Sequence, residues 1–78
     1  MNTELEVMKV VAEHLGLSVE DLERQAYLRD DLNLSPIEIN DLLAKLSQKF
    51  QISFNPDEVE GLQKIEDLIV VVEDNLLD

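Results

Sequence analysis

The sequence predicts an all-α fold, a small antiparallel four-helix bundle with three longer helices and one short helix. Apolar residues recur three and four positions apart along most of the 78 residues, which is the spacing of one helix face. Serine or asparagine directly followed by proline marks a helix start at two places. With two glycines and two prolines, the chain has little of the turn chemistry that an all-β fold needs.

The first helix is predicted from Thr3 to about Leu15. Thr3 and Glu6 have the spacing of a capping box, in which each side chain satisfies an unpaired amide at the helix start. Gly16 stands where the helix should end, because glycine adopts the left-handed conformation without strain. The predicted apolar stripe of this helix consists of Leu5, Met8, Val11, Ala12 and Leu15.

The connection from Leu17 to Leu34 is long for a loop. A short helical turn is expected near its beginning, capped by Ser18 and bringing Leu22 to the core. Further apolar residues are spaced along the segment at Ala26, Leu28 and Leu32. We therefore expect the connection to lie on the core rather than to extend into solvent.

The second helix has the strongest start signal in the chain. Ser35 fits the N-cap, Pro36 fits the first helical position and Glu38 fits the third, each for a separate physical reason. Apolar residues follow at helical spacing: Ile39, Leu42, Leu43, Leu46 and Phe50. This helix is predicted from Pro36 to about Phe50.

Two further helices are predicted in the last third of the chain. The segment from Asn55 to Glu58 repeats the start signal and predicts a short helix. Apolar residues from Ile65 to Leu76 predict the fourth helix. The β-branched run from Ile69 to Val72 could also form a strand, but a lone strand would leave its backbone unpaired. We therefore favour a helix.

These helices predict one hydrophobic core within a single domain of residues 1–78. The predicted core positions are Met8, Val11, Leu15, Leu28, Leu42, Leu46, Phe50, Leu62, Ile65, Leu68 and Val72. Since 4% of the residues are aromatic, this core must be mainly aliphatic. A domain of this size buries only about 60% of the surface of its unfolded chain, so we expect modest stability.

Charge and composition narrow the possible functions. Six basic and 18 acidic residues give a net charge of −12, which repels nucleic acid and anionic membranes and favours protein partners with basic patches. The absence of cysteine and the single histidine exclude disulfides, thiolate metal sites and multi-histidine sites. No segment is long and apolar enough to span a bilayer, and the acidic start is unlike a signal peptide. We expect a cytoplasmic monomer.

Several segments resemble the acyl carrier protein family. Leu15-Gly16-Leu17 is similar to the segment that closes the family's first helix. Residues 31–37 resemble its aspartate-leucine-glycine-x-aspartate-serine-leucine motif. Core residues of the family's second helix are matched by Leu42, Leu46 and Phe50. The resemblance continues without a gap over most of the chain and implies a four-helix carrier domain.

In that family, a serine at the start of the second helix carries 4′-phosphopantetheine through a phosphodiester, and the thiol of this arm holds the acyl chain. The matching position here is Pro36, which has no hydroxyl; Asn33 replaces the glycine of the motif. Two interpretations of Ser35 are open. It is either only the N-cap, or a shifted site for 4′-phosphopantetheine, about 100° and 1.5 Å from the usual position. We favour the N-cap, because a transferase would meet a misplaced hydroxyl beside a rigid proline.

Members of the family dock to basic patches on enzymes through an acidic second helix. Here Glu38 and Asp41 on that helix are balanced by Lys45 and Lys49. Asp41 and Lys45 have the spacing of an ion pair along the helix. Most other acids lie in the long connection and in the third and fourth helices. The predicted partner-docking residues are Ile37, Glu38, Asp41, Asp57 and Glu58.

Other candidate sites are weaker. Asp31, Asn33 and Ser35 occupy three ligand positions of a calcium loop, but the residues after them lack its glycine and its bidentate glutamate. We therefore predict no metal site. His14 has no second ligand nearby in sequence and is expected on the surface, near the end of the first helix.

Two functions remain open at this stage. The first, implied by the resemblance, is a non-enzymatic acyl-carrier-like protein. It would present acyl or biosynthetic intermediates, or dock to enzymes of fatty-acid or polyketide-type pathways. The second is an armless interaction or regulatory module derived from a carrier domain, which Pro36 and the neutral second helix favour. We predict a carrier-family protein and no independent catalyst, because the chain offers no nucleophile–base set.

Overall fold

The computed structural model describes residues 2–76, which form four α-helices joined by loops. The helices are α1 (Thr3–Leu15), α2 (Pro36–Phe50), α3 (Pro56–Glu60) and α4 (Ile65–Leu76), with a short 3₁₀ turn at Val19–Asp21. Apart from a single backbone bridge between Tyr27 and Lys64, residues 2–76 contain no β-structure. The predicted all-α four-helix fold is therefore confirmed. No helix in this part of the chain is long and apolar enough to cross a membrane.

The start of α1 differs from the predicted capping box. Its N-cap is Asn2, whose side-chain oxygen accepts a hydrogen bond from the Leu5 amide at 3.1 Å. Thr3 is thus the first helical residue, and the prediction that it caps the helix is wrong, because asparagine one position earlier supplies the acceptor. The end of α1 is as predicted: Gly16 has a φ of 72°, and its N–H donates to carbonyl oxygens of the last turn.

Aliphatic side chains from the longer helices and the long connection form the core. The buried residues are Val7, Val11, Ala12, Leu22, Leu28, Leu34, Ile39, Leu42, Leu43, Leu46, Ile65, Leu68, Ile69 and Val72. Most predicted core positions are among them. Four others are only partly buried and pack against the edge of the core: Met8, Leu15, Phe50 and Leu62. On α1 the buried face centres on Val7 and Val11, whereas Leu5 is exposed, which corrects the predicted stripe.

Helix α1 packs against both α2 and α4, and α2 also packs against α4. The α1–α2 pair is antiparallel. Near the start of α1, the Glu6 carboxylate lies 3.8 Å from the Lys49 ammonium in the last turn of α2. At the other end of α1, the charge of His14 acts on Glu38 in the first turn of α2.

The long connection lies on the core, as predicted. Three backbone hydrogen bonds tie it to the segment around the start of α4, one of them from the Glu66 N–H to the Arg24 carbonyl at 2.9 Å. The Leu28 N–H donates to the Gln63 carbonyl at 2.8 Å, and the Ile65 N–H donates to the Ala26 carbonyl at 3.1 Å. These bonds hold the connection beside the α3–α4 junction.

Ion pairs also hold the long connection against α1 and α4. Arg24 forms an ion pair with Glu4 of α1 and another, at 3.6 Å, with Glu66 of α4. The 3₁₀ turn before it forms as expected and is followed by the buried Leu22, but Ser18 makes no side-chain capping bond, so that prediction is wrong.

Replacing Leu46 with alanine is expected to lower the free energy of unfolding by about 2–5 kcal/mol, because the change leaves a cavity in the core. Leu46 lies on α2 and is completely buried. Urea denaturation followed by circular dichroism measures the change. Ile37→Ala, at a 73% exposed position of the same helix, is the matched control and should alter stability by less than about 0.5 kcal/mol. Equal effects of the two substitutions would contradict the described packing.

Candidate functional site

The turn before α2 fixes where that helix begins. The Asp31 carboxylate accepts a hydrogen bond from the Tyr27 amide at 2.8 Å and so closes the turn. Asn33 has a left-handed conformation with a φ of 56°, and its N–H donates to the Arg29 carbonyl at 3.0 Å. Asparagine tolerates this conformation better than most residues, so it can stand where the motif that this segment resembles has a glycine. The buried Leu34 then anchors the chain to the core.

Ser35 is the N-cap of α2, as predicted. Its Oγ accepts a hydrogen bond from the Glu38 amide at 3.3 Å, and the Glu38 carboxylate accepts one from the Ser35 amide at 3.1 Å. The two bonds form a complete capping box. Pro36 follows at the first helical position, where a missing N–H leaves no helical bond unmade. The hydroxyl nearest in sequence to the expected attachment position is thus engaged with the helix backbone.

The capping box also affects the ionisation of Glu38. The hydrogen bond from the Ser35 backbone N–H lowers the pKa of the Glu38 carboxyl below its ordinary value, and the Ser35 side chain lowers this pKa further. A smaller desolvation effect opposes the shift, and the charge of His14 adds a weak lowering. Glu38 therefore keeps its negative charge, and its capping role, to a lower pH than an ordinary glutamate.

A cleft of about 670 Å³ opens beside Pro36, between α2, α3 and the long connection. Its apolar lining comes from Leu28, Pro36, Ile39, Val59 and Leu62. Its polar lining comes from Tyr27, Arg29, Asp30, Asn40, Glu60 and Gln63. An apolar lining with polar groups around it suits an amphipathic ligand.

The wall of this cleft depends on contacts between segments that are distant in sequence. Tyr27 forms the backbone bridge with Lys64, whose ammonium lies 5.2 Å from the centre of the Tyr27 ring. The Asp67 carboxylate accepts hydrogen bonds from the Gln63 and Lys64 amides at 2.9 Å each. The cleft could not be predicted from the sequence, because it forms where three segments that are distant in sequence come together. The spacing of apolar residues in the connection was its only signal.

The five predicted docking residues have different environments. Four of them are exposed to solvent: Ile37, Glu38, Asp41 and Asp57. Two of the five, Glu38 and the half-buried Glu58, also hold helix starts. Glu58 closes a capping box with Asn55 at the start of α3, and its carboxylate also accepts a hydrogen bond from the Asn75 amide group at 3.2 Å. Glu58 is therefore a structural link between α3 and α4 as well as a candidate contact.

The residues that resembled a calcium loop have local structural contacts. Asp31 accepts from the Tyr27 amide and Ser35 from the Glu38 amide. In the described part of the chain, no three His, Cys, Asp or Glu side chains converge as metal ligands would. His14 is half-buried in the last turn of α1, which makes it less exposed than predicted.

Comparison with known proteins agrees with this geometry. A family model described as a phosphopantetheine attachment site matches residues 6–71. The chain is similar to the acyl carrier protein of Chlamydia trachomatis serovar L2, with 27% identity over 75 residues, 96% of this chain and 97% of the relative. It is 28% identical over 72 residues to that of an Exiguobacterium species, covering 92% and 91%. An acyl carrier protein crystal structure from Thermotoga maritima has a similar fold, with a TM-score of 0.77, 21% identity, and coverage of 92% and 84%.

The family match and the fold define a small helical carrier domain. Because the family match extends over most of its length, the chain belongs to the acyl carrier protein family. Members of this family are carriers rather than enzymes, and this membership confirms the prediction of a non-enzymatic carrier-like protein.

The prosthetic group of the family does not fit the residue at its usual position. A phosphodiester link to 4′-phosphopantetheine needs a side-chain hydroxyl, and Pro36 has none. Ser35 has a hydroxyl, but it belongs to the N-cap, and its Oγ accepts the hydrogen bond from the Glu38 amide. Nothing in the chemistry of Pro36 can substitute for the missing oxygen.

In the Glu38→Gln variant, the free energy of unfolding is expected to fall less steeply as the pH is lowered into the acidic range. Because the folded-state pKa of Glu38 is lowered, its ionised form stabilises the fold above the ordinary value of 4.5. This contribution is lost as the pH falls through the lowered folded-state pKa. Urea denaturation at a series of pH values should therefore show a steeper acidic loss for the wild type than for the variant.

Glu73→Gln is the matched control, since it removes the same charge from an exposed position on α4. Its pH profile should follow that of the wild type. Parallel profiles for the wild type and Glu38→Gln would show that the capping carboxylate does not couple ionisation to folding.

Proposed function

We propose that this protein docks, as an acyl-carrier-type partner, to enzymes of fatty-acid or polyketide-type pathways and carries no arm at Pro36. The observation that supports the proposal is the capped start of α2. There the residue matching the attachment serine is a proline, and the neighbouring Ser35 hydroxyl is part of the capping box. The chain thus keeps the fold of the family but lacks the hydroxyl to which the arm is usually attached.

The docking surface of this proposal combines exposed apolar and acidic groups near the two helix starts. Ile37 presents a 73% exposed aliphatic side chain in the first turn of α2. Asp41 on α2 and Asp57 on α3 add exposed carboxylates. With a net charge of −12, the chain should be attracted to enzymes with basic patches, and this attraction would speed association.

The cleft beside Pro36 gives such a docking protein a cargo site that needs no covalent bond. Its volume of about 670 Å³ lies within the range of small-molecule sites. Its apolar lining, with Ile39 and Leu62 among the contributors, suits the chain of an acyl intermediate. In this function the protein would present, or withhold, an intermediate at the enzyme to which it is docked.

A shifted attachment site is the second candidate, and the exposure of Ser35 favours it. The Ser35 side chain is accessible to solvent at the start of α2, one residue before Pro36. Its oxygen can act as a phosphodiester oxygen only if a transferase accepts a hydroxyl displaced by about 100° around the helix. The cytoplasmic location and the monomeric state stay predictions.

The two candidates differ in a transfer experiment. Wild-type protein mixed with coenzyme A and a promiscuous phosphopantetheinyl transferase should remain unmodified, because Pro36 has no hydroxyl and the Ser35 hydroxyl caps α2. Pro36→Ser should gain one phosphopantetheine if the surface read by the transferase is kept. Intact-mass spectrometry measures both results.

Ser35→Ala is the control that shows whether any modification is on Ser35. It should be less stable than the wild type by about 0.5–2 kcal/mol through loss of the cap, so its folding is checked by circular dichroism. Modification of the wild type that disappears in folded Ser35→Ala would overturn the armless proposal and establish the shifted site.

A further inference from the structure

Arg24 joins three parts of the chain through ionic contacts. It lies in the long connection and forms ion pairs with Glu4 of α1 and, at 3.6 Å, with Glu66 of α4. Two of the three ion pairs described among residues 2–76 therefore belong to this one side chain. We refer to Arg24, Glu4 and Glu66 as the Arg24 cluster.

Backbone hydrogen bonds lead from the Arg24 cluster to the cleft beside Pro36. The Glu66 N–H donates to the Arg24 carbonyl at 2.9 Å, next to the ion pairs. Further along the same two segments, the Leu28 N–H donates to the Gln63 carbonyl at 2.8 Å. Leu28 and Gln63 both line the cleft. The pairing of the two segments thus begins at the cluster and ends in the cleft wall.

A series of side-chain contacts follows the same path. The Gln25 amide group donates to the Glu66 carboxylate at 2.9 Å, and its oxygen accepts from the Lys64 ammonium at 3.1 Å. That ammonium lies 5.2 Å from the centre of the Tyr27 ring, within the range of a cation–π contact. Because Tyr27 lines the cleft, these side chains also connect the Arg24 cluster with the cleft wall.

The part of the connection around Arg24 depends on these contacts for its position. Leu22 and Leu28 are buried and hold its two ends in the core. Between them the side chains are exposed or half-buried, so apolar burial fixes this stretch only weakly. Loss of the Arg24 cluster should therefore loosen Tyr27 and its neighbours in the cleft wall and leave the core intact.

The Arg24 cluster can act on the cleft only indirectly. Among the described residues that line the cleft, none belongs to the cluster and none belongs to α1, which contains Glu4. The side chains of the cluster are 37–42% exposed. Exposed ion pairs are individually weak and are screened by salt. An effect of the cluster on the cleft should therefore be recognised by its dependence on salt.

We infer that Arg24 is a positioning residue for the cleft: with Glu4 and Glu66, it holds the cleft wall in the arrangement that binds an apolar cargo. The cluster touches no cargo and acts through the segment that contains Tyr27. The affinity of the cleft for an uncharged ligand thus depends on ion pairs outside the cleft. This inference rests on the cargo site proposed above, but the position of the wall is measurable without any cargo.

The first measurement follows the cleft wall in ¹⁵N-labelled full-length protein without ligand. Glu4→Gln and Arg24→Gln change the net charge in opposite directions, yet both remove an ion pair of the cluster. Both should shift the amide signals of Tyr27, Leu28 and Gln63 in the same direction. The larger shift is expected for Arg24→Gln, which removes both pairs. Sodium chloride added to the wild type should shift the signals along the same path.

The second measurement is a calorimetric titration with the octanoyl thioester of N-acetylcysteamine, an uncharged probe with an acyl chain. At low salt the probe should bind about twofold more weakly to Glu4→Gln and about fivefold more weakly to Arg24→Gln than to the wild type, from the loss of one and two exposed ion pairs. Added salt should weaken binding to the wild type and have little effect on Arg24→Gln. Arg24→Lys, which keeps the charge but not the planar fork, should recover part of the affinity.

Lys9→Gln and Glu13→Gln are the matched controls, because they remove the same charges from exposed positions on α1 that form no ion pair among residues 2–76. Both should keep the wall signals and the probe affinity of the wild type. Wall signals that stay in place in both cluster variants, equal shifts in the controls, or a salt dependence that Arg24→Gln retains would overturn the inference. A probe that binds neither the wild type nor any variant, while the wall signals move as expected, would contradict the cargo site and support the positioning role of Arg24.

Discussion

The reciprocal hydrogen bonds between Ser35 and Glu38 fix the start of α2, and the arrangement of the site follows from them. They hold the Ser35 backbone extended and direct Pro36 into the first helical position. With the start fixed, the register of α2 places its leucines in the core and Ile37 in solvent. The same bonds engage the hydroxyl nearest to the family's attachment position. The capping box thus occupies the start of α2, where other members of the family carry their prosthetic group.

Local signals explain how much of the fold could be predicted. The bounds of α1 and α2 agree with the sequence prediction because Gly16, Ser35 and Pro36 act through their own backbone preferences. The α1 cap was misplaced by one residue because Asn2 and Thr3 are both good caps, and only the hydrogen-bond geometry decides between them.

The sequence predicts the capping box of the site but not the cleft, and the reason is physical. The capping box lies within four consecutive residues, so its pattern is visible in the sequence. The cleft is built from the connection, α2, α3 and the residues that follow α3, and it depends on long-range contacts such as the bridge between Tyr27 and Lys64. The spacing of Asp41 and Lys45 suggested an ion pair along α2, but among residues 2–76 these two side chains do not pair.

We expect this member of the acyl carrier protein family to work without a covalent arm. The most direct measurement is the intact mass of the protein isolated from the cells that naturally make it, where its own transferases and partners are present. We expect this mass to include no phosphopantetheine. A mass increased by one phosphopantetheine, with the modification located at Ser35 by fragmentation, would contradict it.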